Sequence, residues 1–301
     1  MFVIMAESQA VLLLYILTGV LIRRLKLLDG PRIQGFMQFV LYVTLPCTIF
    51  NSTDLDFSAE RLRAAWWTLI LSLLITGLSI LLGWLLFRRQ DKSGEDKIIR
   101  FGLMCSNSTF AGIPLLSYAF GQEAVFYASI FIAPARILLW SAGVSLLTAL
   151  PLKSKVKNMF LNPATIALAI GFIRLLSGVH LHPVLTTALR GIGDLTAPLS
   201  MITVGGILAE VNFSEVVEKR TLLFSFLRLV VLPGLVLLAL KPLVRDDLIL
   251  AVCVILTAMP AGTMTALLAR KYQANDAFAS KCITVSTVLS LVTVPLLAYF
   301  L

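Results

Sequence analysis

Cys105-Ser106-Asn107-Ser108-Thr109-Phe110-Ala111-Gly112-Ile113-Pro114-Leu115 is a run of hydroxyl and amide side chains that ends in glycine and proline, set inside an otherwise apolar segment. Pro114 has no N–H to donate to the carbonyl of Phe110, and Gly112 lowers the cost of a non-helical backbone angle. A helix through this stretch is expected to break. Thr257-Ala258-Met259-Pro260-Ala261-Gly262-Thr263-Met264-Thr265 repeats the device, with proline ahead of glycine and threonines flanking it.

What such breaks mean depends on the solvent around them. The chain has 301 residues, 58% hydrophobic and 14% charged, with a mean hydropathy of +0.93; a soluble domain runs near half apolar and a quarter charged. It reads as an all-α integral membrane protein. Ten apolar segments of spanning length are expected, at 6–23, 33–52, 64–87, 98–119, 122–150, 162–177, 193–211, 221–240, 247–270 and 274–301. Met1 to Ala6 carry no basic residues, so the first apolar stretch is expected to be a span and not a cleaved signal. Unwound backbone at bilayer depth is tolerated only where it is buried in protein or lines a wet cavity, so polar side chains beside the two breaks point to a site. The simpler alternative is that serine and threonine join helices and the prolines only kink them.

Loops between spans are short, the largest polar insert being Arg88 to Lys97, and hold no separate domain. The net charge of +9 reflects topology better than nucleic-acid binding: 17 Lys and Arg follow odd-numbered spans, 6 follow even-numbered ones, and Arg136 and Arg228 lie within spans. Both termini are therefore expected outside the cytoplasm. Cys47, Cys105, Cys253 and Cys282 sit in apolar stretches without CxxC spacing and read as core residues, with no metal site.

Pro46 and Pro198 lie 152 residues apart, and Pro114 and Pro260 146 apart, both close to half the chain. Two halves of five spans, an odd number, would enter the membrane with opposite orientation, an inverted repeat of 1–150 on 151–301; chance matching of prolines common in membrane helices is the alternative. Broken helices 4 and 9 would then cross near the midplane, the arrangement that marks a transporter binding site. Half-helix N-termini there offer unpaired N–H groups and favour an anion. Asn107, Ser108, Thr109, Gly112 and Pro114 from span 4, with Met259, Pro260, Gly262 and Thr263 from span 9, are the candidate substrate-binding residues.

Arg136 sits midway between Gly121 and Pro151 in span 5, with Pro134 two residues before it. An arginine that deep costs roughly 2.5–3.5 kcal/mol on insertion scales, so it is read as counter-charge to an organic anion or as partner of a carboxylate. Asp194 opens span 7 ahead of Pro198, and is either a coupling acid for a proton or cation, or a helix N-cap. Pro46 and Pro198 are the corresponding breaks of spans 2 and 7. Arg228 is close enough to the cytoplasmic face to snorkel and takes no role. His180 and His182 have no third ligand nearby. No phosphate-binding loop, nucleophile elbow, zinc-protease motif or dinucleotide fingerprint occurs, which argues against an enzyme or a primary pump.

These motifs resemble the auxin efflux carrier family in its compact bacterial form, nearly end to end. The resemblance rests on Leu45-Pro46, on Asn107 through Gly112-Ile113-Pro114-Leu115, on Asp194 through Pro198 with Gly205-Gly206, and on Met259-Pro260-Ala261-Gly262 with Tyr272. It implies ten helices in two inverted five-helix repeats, similar to bile-acid sodium symporters and bacterial sodium/proton antiporters. It also implies that helices 1, 2, 6 and 7 form a scaffold and helices 3–5 and 8–10 a transport unit, that Asn107 and the residues around Pro260 line the substrate site, and that the protein forms homodimers. Plant relatives carry a long hydrophilic loop between the halves, whereas Pro151 to Asn162 is short here, and span 9 offers Thr263 and Thr265 but no asparagine, so auxin itself is not assumed.

The expectation is a secondary active or potential-driven transporter in a bacterial inner membrane, without a cofactor, exporting a small organic anion such as a mono- or dicarboxylate. The alternative within transport is sodium- or proton-coupled uptake of malonate- or malate-like dicarboxylates or bile-acid-type solutes. A membrane sensor is the alternative outside it.

Overall fold

The computed structural model describes residues 2–88, 93–148, 162–179, 181–209 and 216–301. They are helical almost throughout, and the β-type pairing among them is a single antiparallel bridge between Ser106 and Ala261. Seven helical stretches among the described residues are long and apolar enough to cross a membrane: Val3–Arg24, Gly30–Asn51, Ala59–Leu86, Ser108–Leu147, Pro183–Leu208, Lys219–Leu240 and Asp276–Ala298. Pro163–Ser177 and Asp247–Ala258 are shorter apolar helices. The expected ends of spans 5 and 7, the boundary between the two halves and His180 lie outside the described residues.

In chain order the α-helices are α1 (Phe2–Arg24), α2 (Gly30–Phe39), α3 (Leu45–Asn51), α4 (Ala59–Leu86), α5 (Glu95–Met104), α6 (Ile113–Leu138), α7 (Val144–Leu147), α8 (Pro163–Ser177), α9 (Pro183–Asp194), α10 (Thr196–Leu208), α11 (Lys219–Phe226), α12 (Leu232–Leu240), α13 (Asp247–Ala258), α14 (Met264–Lys271) and α15 (Asp276–Ala298). Side-chain caps fix several starts: Asp29 accepts from Arg32 N, Ser58 from Arg61 N, Asn162 from Ala164 N, and Asp246 from Leu248 N and Ile249 N. The expected boundary between spans 4 and 5 falls at Gly121, where φ is 76° and ψ −162° interrupt α6, a conformation that glycine alone adopts freely.

Prolines are absorbed in a way the sequence reading did not foresee. Pro46, Pro114 and Pro233 each occupy the second position of a helix that directly follows a π turn, at Val40–Thr44, Ser108–Gly112 and Leu227–Val231. The wide turn carries one extra residue, closed by bonds such as Ile113 N to Ser108 O, and so removes the carbonyl that would clash with the proline ring. The helix does not break at Pro114; it is interrupted earlier, at Cys105–Asn107. Nor does Pro198 mark a break, since the junction between α9 and α10 is at Leu195, three residues before it.

The α1 and α10 helices touch backbone to backbone. A Cβ on Gly205 would lie 2.0 Å from the carbonyl oxygen of Ile16, and one on Gly19 2.0 Å from that of Ile202. Where span 2 meets α9 and α10, threonine hydroxyls form a buried chain: Thr48 Oγ1 donates to Gly193 O at 2.8 Å and lies 2.7 Å from Thr196 Oγ1, which in turn lies 2.9 Å from Thr44 Oγ1. Ion pairs tie the helix ends, Arg174 to Asp54, and Arg220 to Asp96 and to Glu95 at 3.0 Å.

Candidate functional site

Two helices stop in the middle of the molecule and face each other. The α5 helix ends at Cys105 (φ −92°, ψ 84°) and α13 at Met259 (φ −64°, ψ 146°), both outside the helical region. Between them Asn107 N donates to Pro260 O at 2.8 Å and Gly262 N to Cys105 O at 2.7 Å, closing a two-residue antiparallel pairing around Ser106 and Ala261. Gly262 permits this approach, since a Cβ there would sit 3.0 Å from Cys105 Sγ and 3.1 Å from Ser106 O. Gly112 does the same one turn away, where a Cβ would lie 2.5 Å from Leu256 Cδ2 and 3.2 Å from Met259 Cγ.

Several backbone groups freed by the breaks find new partners, as burial in an apolar medium requires. In a continuous helix the carbonyl of Leu103 would receive Asn107 N and that of Leu256 would receive residue 260, a proline with no N–H. Here Arg228 Nη1 donates to Leu103 O at 2.8 Å, and Ser106 Oγ donates to Leu256 O at 2.9 Å while accepting from Ser108 Oγ at 2.7 Å. Arg228 Nε reaches Met259 O at 3.1 Å, and Ala261 N donates to Ser286 Oγ at 3.1 Å. Arg228 is 2% exposed. The snorkelling expectation is therefore corrected: its side chain turns inward and joins both breaks.

Asn107 differs from its neighbours. It is 4% exposed, its backbone is fully engaged, and its side-chain amide makes no hydrogen bond among the described residues. An amide donor and acceptor at a helix break, without a partner among the described residues, is available for a ligand. Thr263 precedes α14 without a side-chain cap bond, and Pro260 and Met259 contribute backbone carbonyls already in use.

Arg136 and Thr109 form the second part of the site. Arg136 Nη2 donates to Thr109 Oγ1 at 3.1 Å, and no carboxylate among the described residues is within ion-pair distance of Arg136. Both line a narrow crevice of about 20 Å³, roughly the space of one water, with Leu45, Ile113, Ser129 and Thr165. It is walled by α3, α6 and α8, and Thr109 in it lies two residues along the chain from Asn107.

Asp194 lies elsewhere. It is the last residue of α9 and exposed, the cap position of α10 is Leu195, and no side chain caps that start, so the N-cap expectation is corrected. The signal for the Thr44–Thr196 contact was present in the sequence, because both threonines precede Pro46 and Pro198 by two residues. Ser106 and Ser286 had no comparable signal.

A family model described as membrane transport protein matches residues 4–158 and 147–298, together nearly the whole chain. The chain belongs to the auxin efflux carrier family. A protein of Methanothermobacter thermautotrophicus named as an uncharacterized transporter is similar to it, 27% identical over 301 residues that cover 98% of each chain. Membership in this family makes the protein a multi-pass membrane transporter; the hydroxyls of Ser106 and Ser108 also join the two breaks through Leu256 O, as the helix-joining alternative expects.

Proposed function

We propose that this auxin efflux carrier family member exports a small organic anion, a mono- or dicarboxylate, by alternating access around the crossed breaks. In this reading ten spans form two inverted five-helix repeats. Spans 1, 2, 6 and 7 form a scaffold, spans 3–5 and 8–10 rock against it, and the protein works as a homodimer in the cell membrane with both termini outside the cytoplasm. The observation that carries the reading is the unengaged amide of Asn107 at the paired breaks, two residues from Thr109, which accepts from the carboxylate-free guanidinium of Arg136. The direct Thr44–Thr196 contact and the antiparallel Ser106–Ala261 bridge support the inverted repeat, because each is a local two-fold arrangement of residues about half a chain apart.

Export fits the energetics. A singly charged anion leaving a cell interior that is negative by 100 mV gains about 2.3 kcal/mol and needs no coupling ion. Uptake would have to overcome the same amount, and Asp194 is the group that would carry its proton.

The test is thermal stabilisation of the purified protein by malonate, malate, oxalate and indole acetate, since a ligand of the native state raises its apparent stability. Stabilisation by one of them that disappears in Asn107→Ala supports the reading. Stabilisation by neutral solutes alone contradicts it.

A further inference from the structure

The two half-helices that end at the crossover, α5 and α13, point their C-termini at one spot, where partial negative charge and orphaned carbonyls collect. In transporters built from broken helices, such carbonyls and C-terminal ends coordinate a coupling cation. Here the spot is taken. Arg228 donates from Nη1 to Leu103 O of α5 and from Nε to Met259 O at the end of α13, at 2.8 and 3.1 Å. It is among the largest fully buried side chains, and no carboxylate among the described residues pairs with it. Its charge is therefore balanced by the two carbonyls and helix ends, as an inorganic cation's would be. Its third arm, Nη2, is buried without a hydrogen-bond partner.

We propose that Arg228 is a tethered cation: its guanidinium fills the site between the two half-helix C-termini that a coupling sodium ion would otherwise take, so the crossover works without sodium. The chain carries its own counter-charge through the transport cycle, and Nη2 remains as a donor for an anionic oxygen. Arg228 is a positioning residue in this scheme, locking the two breaks in register. The inference deepens the transport reading and rests on it for its meaning, while its test needs no substrate.

The experiment compares the melting temperature of the purified full-length protein in sodium chloride and in choline chloride at equal ionic strength. The wild type is expected to differ by less than about 1 °C between the two salts. Arg228→Ala is expected to melt several degrees lower, and to be restored in part by sodium or by about 10 mM methylguanidinium but not by choline. Arg228→Lys, which keeps the charge, is expected to fold and to remain insensitive to sodium. Saturable stabilisation of the wild type by sodium overturns the inference, as does Arg228→Ala melting like the wild type with no cation response, or Arg228→Lys gaining a sodium response. If no carboxylate stabilises the wild type, the anion reading fails and these comparisons still stand.

Discussion

Asn107 and Ser106 are adjacent, equally central and separable by a single substitution each. The Ser106 hydroxyl holds Leu256 O, which Pro260 leaves without an N–H, whereas the Asn107 side chain holds nothing among the described residues. Removing Ser106 leaves a buried carbonyl that Ser108 Oγ, 3.3 Å away, recovers only in part. Ser106→Ala is expected to cost about 1 kcal/mol, and the double variant Ser106→Ala/Ser108→Ala about 2–3 kcal/mol, the range for an unsatisfied buried group. At roughly 2–4 °C per kcal/mol these are melting shifts of a few degrees. Asn107→Ala removes no protein hydrogen bond, so its melting temperature should stay within about 2 °C of the wild type. It should nevertheless weaken binding of the stabilising carboxylate by tenfold or more, because a hydrogen bond to a charged group is worth about 1.5–3 kcal/mol. Melting curves with and without ligand measure both effects on the same samples. The reasoning is refuted if Asn107→Ala destabilises the protein as much as the double serine variant, or if its carboxylate affinity is unchanged.

Arg136→Gln should weaken anion binding more than Arg136→Lys does, because lysine keeps the charge that faces the Thr109 crevice; equal wild-type affinities in a ligand titration would reduce Arg136 to a structural residue. Gly205→Leu should prevent α1 from seating on α10 and abolish a monodisperse elution profile, while Gly77→Ala, with nothing within 4 Å of the new Cβ, should elute and melt like the wild type. Asp194→Asn should leave potential-driven export and its pH profile unchanged; loss of an acid-stimulated flux in that variant would assign proton coupling to Asp194.

Much of this fold was legible from composition and punctuation. The +0.93 mean hydropathy fixed the solvent, and the Gly–Pro pairs located both regions where helices stop. The place of each break was legible only in span 9, where Pro260 lies inside the unwound stretch. In span 4 the interruption sits at Cys105–Asn107, eight residues before Pro114 at its centre, because a π turn accommodates the proline and the pairing with Pro260 and Gly262 pulls the chain out of the helix earlier. That pairing is long-range and leaves no trace in local propensity. The role of Arg228 is hidden from the sequence for a similar reason. Eight residues from Arg220, it is about 12 Å along the helix from a charged end, within reach of snorkelling, and only the rotation set by packing on α5 and α13 turns it inward. Pro198 points to a helix start at Asp194, whereas the junction at Leu195 puts Asp194 at a helix end.

Flux in proteoliposomes under an imposed potential tests the central claim most directly. The protein would be reconstituted with the labelled carboxylate that stabilises it inside the vesicles, in sodium-free buffer, with a potassium diffusion potential of 100 mV, negative inside. The account predicts net outward movement of the anion up to a distribution of roughly fifty to one for a single charge, reached without sodium or a pH gradient and lost in Asn107→Ala. Movement that ignores the potential, or that occurs only when a sodium gradient is supplied, would contradict it.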